Sequence, residues 1–173
     1  YKDEHAYCPG HVFSAIERKH LLIKLTEHAQ KLGVKFFYSS KITNIAQVKD
    51  TSPDLIVLAE GASGHLRSSL DQYFKSSVSW GKNKYLWTRT SKRLNRFQFV
   101  FKENNHGVWV AHAYPYSKTH SAFIIEVEQN TWLNSGMEHK SESEAKMYLN
   151  EIFRHELSGH SLDFNYTRWR NFM

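Results

Sequence analysis

The stretch FQFVFKENNHGVWVAHAYPYS, residues 97–117, alternates between two sets of side chains on either side of a short polar turn. A period of two is typical of β-strands, and the turn ENNHG at 103–107 predicts that the two runs form an antiparallel hairpin. Working outward, SAFIIEV at 121–127 predicts a third strand and KYLWTRT at 84–90 a fourth. The second half of the chain is therefore predicted to be a four-stranded antiparallel meander.

The first helix is predicted from Ser14 to Leu32, where apolar residues recur at helical spacing. Ser14 and Glu17 form a capping-box pattern at its start, and Gly33 is expected to end it.

Three strands are predicted after this helix, at residues 34–40, 42–46 and 54–59. The run DLIVLA at 54–59 has no polar alternation, which indicates a strand buried on both faces. The turn EGASG at 60–64 then leads into a short helix containing Leu66, Arg67 and Leu70. Ligands favour such strand ends.

A last helix is predicted over residues 143–157, with Ser141 and Glu144 as a capping box and Gly159 ending it. Its predicted core stripe consists of Ala145, Leu149, Ile152 and Phe153. Helices and strands together predict a mixed α/β fold.

Composition limits the classes of function. The chain has 173 residues, 23 basic and 17 acidic, and a net charge of +6. The basic residues are spread out and no nucleic-acid-binding motif accompanies them, so nucleic acid is not an expected partner. The densest basic cluster is either a solvated edge strand and turn or a surface for an anionic ligand. Its members are Lys82, Lys84, Arg89, Lys92, Arg93 and Arg96.

Metal and membrane functions are not expected either. Cys8 is the single cysteine, which excludes an intrachain disulfide and a thiolate metal cage and fits a cytoplasmic location. The eleven histidines include no HExxH run and predict no carboxylate–histidine cluster, so no metal site is predicted. No apolar run reaches the roughly 18 residues of a membrane span.

Six segments, in order, resemble the class A flavoprotein aromatic hydroxylases, which are FAD-dependent monooxygenases. They are GHVFSAIERKHLLIKL, DLIVLAEGASGHLR, NKYLWTRT, FQFVFKENNHGVWVAHAYPYS, SAFIIEVEQNTW and WRNF. The resemblance covers nearly the whole chain and is nearest to members that act on aromatic CoA thioesters or on indole and tryptophan-type substrates.

The resemblance implies part of a Rossmann-like FAD-binding domain and an antiparallel-sheet substrate domain. Residues 1–78 would be the FAD-binding portion, residues 79–165 the substrate-binding portion, and residues 166–173 a return toward the FAD domain. NAD(P)H would reduce the flavin, and a flavin hydroperoxide formed with O2 would hydroxylate an aromatic ring.

The resemblance also implies functional residues. Arg18 corresponds to the arginine of the family's first-helix motif and would contact FAD near its phosphates, although a single arginine on a helix surface is also common. Glu60, Gly61 and Arg67 correspond to the second motif, where the family has Asp rather than Glu. Gly64 stands at the usual serine position. A turn that merely reverses the chain is the alternative interpretation.

Candidate substrate-facing residues are Trp87, His112 and Tyr114. His112 and Tyr114 share a face of one predicted strand, and Trp87 is expected on a neighbouring strand. Rings supply apolar contact area and polar tips orient a ligand, but an aromatic stripe is also typical of a plain core. Periodicity alone does not decide which face would meet the flavin.

The sequence contains no GxGxxG phosphate-binding motif. Two interpretations remain open. The chain is either an internal piece of an FAD hydroxylase or a non-catalytic ligand-binding or interaction module derived from that fold. The aromatic substrate, the choice between NADH and NADPH, and a homodimer are also left open.

Overall fold

The computed structural model describes residues 4–10, 12–49, 51–61, 63–164 and 168–171. They divide into two compact units: a sheet unit, drawn from residues 1–24 and 81–172, and a helix unit, drawn from residues 25–80. Helices accompany one antiparallel sheet, which confirms the predicted mixed fold class.

One sheet organises the sheet unit. Its strands in the described part of the chain are β1 Lys84–Thr90, β2 Gln98–Asn104, β3 Gly107–Pro115, β4 Ser121–Val127, β5 Leu162–Asp163 and β6 Arg170–Asn171. The four long strands are antiparallel in the order β2-β3-β4-β1, and the short strands β5 and β6 both pair with β1. The four predicted strands are confirmed.

The β2–β3 hairpin turns where the polar run predicts it, with Asn104 opposite Gly107. Gly107 has φ +131°, a backbone conformation that residues other than glycine rarely adopt. A Cβ at this position would also overlap the side chain of Thr131. A glycine is therefore required here for two independent reasons.

In the described part of the sheet unit, three helices lie between β4 and β5: α5 Gln129–Asn134, α6 Glu142–Ile152 and α7 Arg154–Leu157. The core lies between these helices and one face of the sheet. Trp109 contacts Tyr148 with ring centroids 5.5 Å apart, and Phe123 contacts Phe153 at 5.2 Å. Full burial of each such side chain contributes about 1.5–3 kcal/mol, so this face holds the sheet unit together.

Local signals at both ends of the last helical segment are confirmed. The Ser141 hydroxyl accepts a hydrogen bond from the Glu144 backbone N–H, and the Glu144 carboxylate accepts one from the Ser141 backbone N–H. Leu149 and Phe153 are fully buried, as the helical stripe predicts. The prediction of one continuous helix over residues 143–157 is corrected, because the segment divides at Phe153 into α6 and α7. The chain leaves the helical conformation after Leu157, next to Gly159 at φ +85°.

The first helix differs from its prediction. Helix α1 spans Arg18–Lys31, so Ser14 lies outside it, and the carbonyl of Glu17 accepts the hydrogen bond from the Leu21 N–H. A cap residue must directly precede the first helical residue, and that position belongs to Glu17. The end is as predicted, because Gly33 follows at φ +85°. None of the residues of α1 is buried.

The helix unit contains α2 Ala46–Lys49, α3 His65–Ser69 and α4 Asp71–Phe74. Helix α3 confirms the short helix predicted after the turn. The strands predicted at residues 34–40, 42–46 and 54–59 are wrong, because the structure assigns no strand to these residues.

The physical reason is clearest at residues 54–59. Apolar composition predicts burial, but a strand also requires a neighbouring strand with which to exchange backbone hydrogen bonds. No ladder reaches this segment within the described residues. Leu55 and Val57 are 78% and 74% exposed.

Candidate aromatic-ligand site on the open face of the sheet

The alternation in β3 separates two environments. Trp109, Ala111 and Ala113 are buried against the helices. His112 and Tyr114 lie on the opposite face and are partly exposed. We call this second surface the open face of the sheet; it carries the residues that the sequence proposed as substrate-facing.

Aromatic rings on β2 and β3 form a continuous group on the open face. Phe97 stacks on Tyr114 with centroids 5.6 Å apart and contacts Phe99 edge to face at 4.8 Å. Phe99 also meets the His112 ring edge to face at 4.8 Å. Phe13, from the segment before α1, completes the group at 5.0 Å from Tyr114. These rings form a surface onto which a flat aromatic ligand can pack.

Trp87 lies on the same face, but its predicted position is corrected. The sequence placed it on a strand next to His112, whereas β1 pairs with β4 and β4 pairs with β3. Ile124 therefore stands between them, opposite Trp87 on one side and opposite His112 on the other. The row Phe99, His112, Ile124 and Trp87 therefore crosses four strands. The predicted meander is corrected in this respect, because β1 pairs with β4 and not with β2.

A carboxylate that the sequence did not single out also faces this surface. Glu126 Oε2 lies 3.5 Å from His112 Nε2, and Glu126 Oε1 accepts a hydrogen bond of 3.0 Å from the side-chain amide of Asn83. The sequence did not predict this pair, which has fewer than the three ligands of a metal cluster. The available signal was the alternation in β4, where Glu126 falls between Ile125 and Val127, which face the core.

The phenol of Tyr114 has a perturbed pKa. Burial raises the pKa of its phenol, because the charged phenolate would lose hydration. The hydroxyl is therefore neutral at ordinary pH and serves as a hydrogen-bond donor or acceptor.

The basic segment at residues 82–96 is not an edge strand. β1 lies inside the sheet, between β4 and the short strands. Arg89 binds Asp163 with two guanidinium nitrogens, at 2.8 and 2.7 Å, and the hydrogen bond to Asp163 raises the pKa of Arg89. The Lys92 amine donates to the Glu156 carbonyl at 2.5 Å. These two cations are paired within the chain, which argues against a free anion-binding surface.

The proposed cofactor residues lie in separate parts of the chain. Arg18 is exposed at the first position of α1, in the portion that belongs to the sheet unit. Glu60, Gly61 and Arg67 lie in the helix unit. Arg67 is partly buried and lines a shallow concavity that also includes residues 56–58 and Phe74.

The Glu60 carboxylate binds the chain's own helix. Oε2 accepts from the Leu66 N–H at 3.2 Å, and Oε1 accepts from the Arg67 N–H at 3.1 Å, so Glu60 caps α3. A Cβ added at Gly64 would lie 2.5 Å from Oε1. Glu60 and Gly64, the two departures from the family motif, are therefore physically coupled, since the longer acid occupies the space that a side chain at Gly64 would need.

The described residues provide neither a metal site nor a membrane span. Among them, no group of three or more His, Cys, Asp or Glu side chains could hold a metal ion. No helix in this part of the chain is long and apolar enough to cross a membrane.

The open face carries a contiguous group of aromatic rings, and comparisons with known proteins show which proteins the chain is similar to. No family model matches the chain. Individual proteins do match it, and three of them are named as hydroxylases or monooxygenases of aromatic compounds. The chain is therefore related to one part of the aromatic monooxygenases, which confirms the resemblance seen in its motifs.

The particular relatives are as follows. The chain is 32% identical over 171 residues to salicyloyl-CoA 5-hydroxylase of a Streptomyces species, with 94% of this chain and 33% of that protein aligned. It is 30% identical to protodeoxyviolaceinate monooxygenase of Chromobacterium violaceum, covering 95% of the chain and 44% of the relative. It is 27% identical to 3-hydroxy-4-methyl-anthranilyl-(aryl-carrier protein) 5-monooxygenase of Streptosporangium sibiricum, covering 96% and 42%. The chain thus spans a third to less than half of the length of these relatives.

Proposed function

We propose that this chain supplies the substrate-binding sheet of a monooxygenase that hydroxylates an aromatic ring. The substrate class is an aromatic acid carried as a CoA thioester or an indole or tryptophan-type compound. O2 is the oxygen source and NAD(P)H the reductant. The relatives' names support the reaction type, and each of those proteins is named for an aromatic substrate.

The observation that carries the proposal is the composition of the open face. Phe97, Phe99 and Tyr114 form a contiguous set of rings beside a single imidazole, His112, and this set is separate from the hydrophobic core. A plain core would bury these rings, yet Phe99 is 58% exposed. Exposed rings next to a few polar groups are what an aromatic ligand requires.

Each proposed substrate residue has a distinct task. Tyr114 and Trp87 provide aromatic contact area, with Trp87 53% exposed on the β1 side of the face. His112 provides the polar group that orients a ring substituent. Packing a ring against this surface also excludes water from the atom to be hydroxylated.

FAD is included in the proposal because the chain resembles FAD-dependent aromatic hydroxylases and its relatives are named as monooxygenases or hydroxylases. It would supply the oxygen-activating chemistry that side chains lack. Arg18, Glu60, Gly61 and Arg67 are the proposed contacts. The described residues fit such a site only in part, because Glu60 caps α3 with both oxygens and the sequence has no GxGxxG motif. Substrate binding on the sheet is therefore the better supported of the two contributions proposed for this chain.

The proposed division of labour follows the chain. Residues 1–78 would contribute to cofactor binding, residues 79–165 would bind substrate, and residues 166–173 would lead back toward the cofactor portion. Of the last segment, residues 166–167 and 172–173 lie outside the described residues, and Arg170–Asn171 forms β6. The protein is further proposed to form a homodimer and to be located in the cytoplasm.

A non-catalytic ligand-binding module is the second candidate. The observation that favours it is again the Glu60 carboxylate, which serves a structural cap in the turn where the family motif predicts a cofactor contact. Such a module would keep the aromatic surface of the sheet without hydroxylating its ligand.

The deciding experiment uses the whole gene product that contains this chain. Copurification of flavin, NAD(P)H oxidation stimulated by an aromatic CoA thioester or by tryptophan, and transfer of isotopically labelled O2 into the product would support the hydroxylase. Binding of the aromatic compound without flavin or oxygen transfer would support the module. Failure to bind any of these aromatic compounds would refute both.

A further inference from the structure

Glu126 is a carboxylate with aromatic and apolar neighbours on the open face of the sheet. Its neighbours across the adjoining strands are Val110 and Tyr85, and its side chain is only 26% exposed. Withdrawing a carboxylate from water is costly unless polar partners compensate for the lost hydration. The partners that compensate for it therefore indicate what this carboxylate does.

Two partners meet the carboxylate from different strands. The Asn83 amide, just before β1, donates a hydrogen bond of 3.0 Å to Oε1. His112, on β3, places Nε2 3.5 Å from Oε2. Asn83 holds one oxygen, and the other is directed at the imidazole. The three residues form a polar row across β1, β4 and β3.

The His112 ring is constrained on two sides. Phe99 contacts it edge to face at 4.8 Å, and Glu126 faces Nε2. An ionised carboxylate can only accept hydrogen bonds, so it favours the tautomer with the proton on Nε2. In the neutral ring, Nδ1 is then left with its lone pair and can accept a hydrogen bond from a ligand.

We propose that Asn83 and Glu126 are positioning residues that hold His112 with Nδ1 as an acceptor, so that the open face selects aromatic rings bearing a hydroxyl or amino group. This inference rests on the proposed substrate-binding function of the sheet. It adds two positioning residues and the ring nitrogen that would contact the substituent, which neither the sequence motifs nor the relatives' names assign. Rings with a proton-bearing substituent beside the aromatic group Phe97, Phe99 and Tyr114 are preferred over rings without one.

The first measurement is the protonation pattern of His112 in the 173-residue chain. Histidine labelled with nitrogen-15 gives long-range NMR correlations that show which ring nitrogen carries the proton. In the unaltered chain the neutral ring is expected to carry it on Nε2. Glu126→Ala should reduce this preference to that of the exposed His155, Glu126→Gln should retain part of the excess through its carbonyl oxygen, and Asn83→Ala should weaken it. An unchanged preference in Glu126→Ala would overturn the positioning role.

The second measurement is binding of salicylate and benzoate, which differ by one ring hydroxyl. Salicylate is expected to bind about fivefold more tightly, the net effect of one hydrogen bond. His112→Phe should remove this difference while keeping benzoate binding, because phenylalanine suits the neighbouring rings. His112→Asn should restore part of the difference, since its carbonyl oxygen lies near the position of Nδ1. His155→Phe is the matched control, because this histidine on α7 has a side chain that is 91% exposed. The substitution should change the affinity for neither salicylate nor benzoate.

The possible results distinguish a failure of this inference from a failure of the proposed substrate-binding function. Equal binding of salicylate and benzoate, or a preference that survives His112→Phe, would overturn the inference and leave an aromatic-binding sheet. Binding of neither compound would refute the proposed function itself. Thermal unfolding monitored by circular dichroism checks each variant for folding, and the nitrogen-15 measurement tests the positioning role independently of affinity.

Discussion

Replacing Gly64 with alanine should destabilise α3 more when residue 60 is glutamate than when it is alanine. The new Cβ would lie 2.5 Å from Glu60 Oε1, so the carboxylate must leave the Leu66 and Arg67 N–H groups. The backbone is not the obstacle, because Gly64 has φ −61° and ψ 126°, which any residue adopts. The additional destabilisation in the presence of Glu60 therefore comes from the lost hydrogen bonds that cap α3.

The magnitude follows from a double-mutant cycle. Losing a side-chain cap at a helix start costs typically about 1 kcal/mol. The 3.0 Å contact between the new Cβ and the Cβ of residue 60 exists with either Glu or Ala there, and so it cancels in the cycle. The coupling between Glu60→Ala and Gly64→Ala should accordingly be about 1 kcal/mol.

Amide hydrogen exchange at Leu66 and Arg67 is the assay, because it reports the local stability of α3. In the Glu60 background, Gly64→Ala should accelerate exchange by about fivefold more than in the Glu60→Ala background. Gly33→Ala is the control: its cost arises from φ +85° with open space around it and should not depend on residue 60. The same acceleration in both backgrounds would refute the coupling.

Three further predictions concern the sheet unit. Leu149→Ala should lower its free energy of unfolding by about 2–5 kcal/mol in urea, because the side chain is fully buried; a loss below about 1 kcal/mol would contradict the core assignment. Hydrogen bonds from Ser141, above all from its hydroxyl, hold the pKa of Glu144 below its ordinary value, so its stabilisation is present above the unfolded-state pKa and is lost as pH falls through the folded-state pKa. Urea unfolding across this acidic range should show a shallower pH dependence for Glu144→Gln, and an unaltered slope would refute the linkage. Gly107→Ala should lower the melting temperature, and pairing it with Thr131→Ala, which removes the Oγ1 atom nearest to the new Cβ, should not restore it fully, because φ +131° stays unfavourable; full recovery would mean that the contact alone matters.

Much of the sheet unit was predictable because its signals are local. The period-two alternation at residues 97–117 places Trp109 on one face and His112 on the other within a single strand. The capping box at Ser141 and Glu144 involves residues three apart, and the structure forms both of its hydrogen bonds. Such features depend on short-range geometry, which a sequence specifies directly.

The first part of the chain was harder because strands depend on partners elsewhere. Residues 54–59 are as apolar as a buried strand, yet they form none in the described chain. Apolar character specifies a preference for burial, and it does not specify the neighbour that satisfies the backbone hydrogen bonds.

By itself, the sequence determined the four long strands, the capped last helix and the relationship to aromatic monooxygenases. Only the tertiary structure decided that β4 separates Trp87 from His112, that Glu126 meets His112 and Asn83, and that Glu60 fills the space beside Gly64. The reason is physical: strand order and side-chain contacts join residues that are distant along the chain. Their energies depend on packing in space, which periodicity and local motifs do not encode.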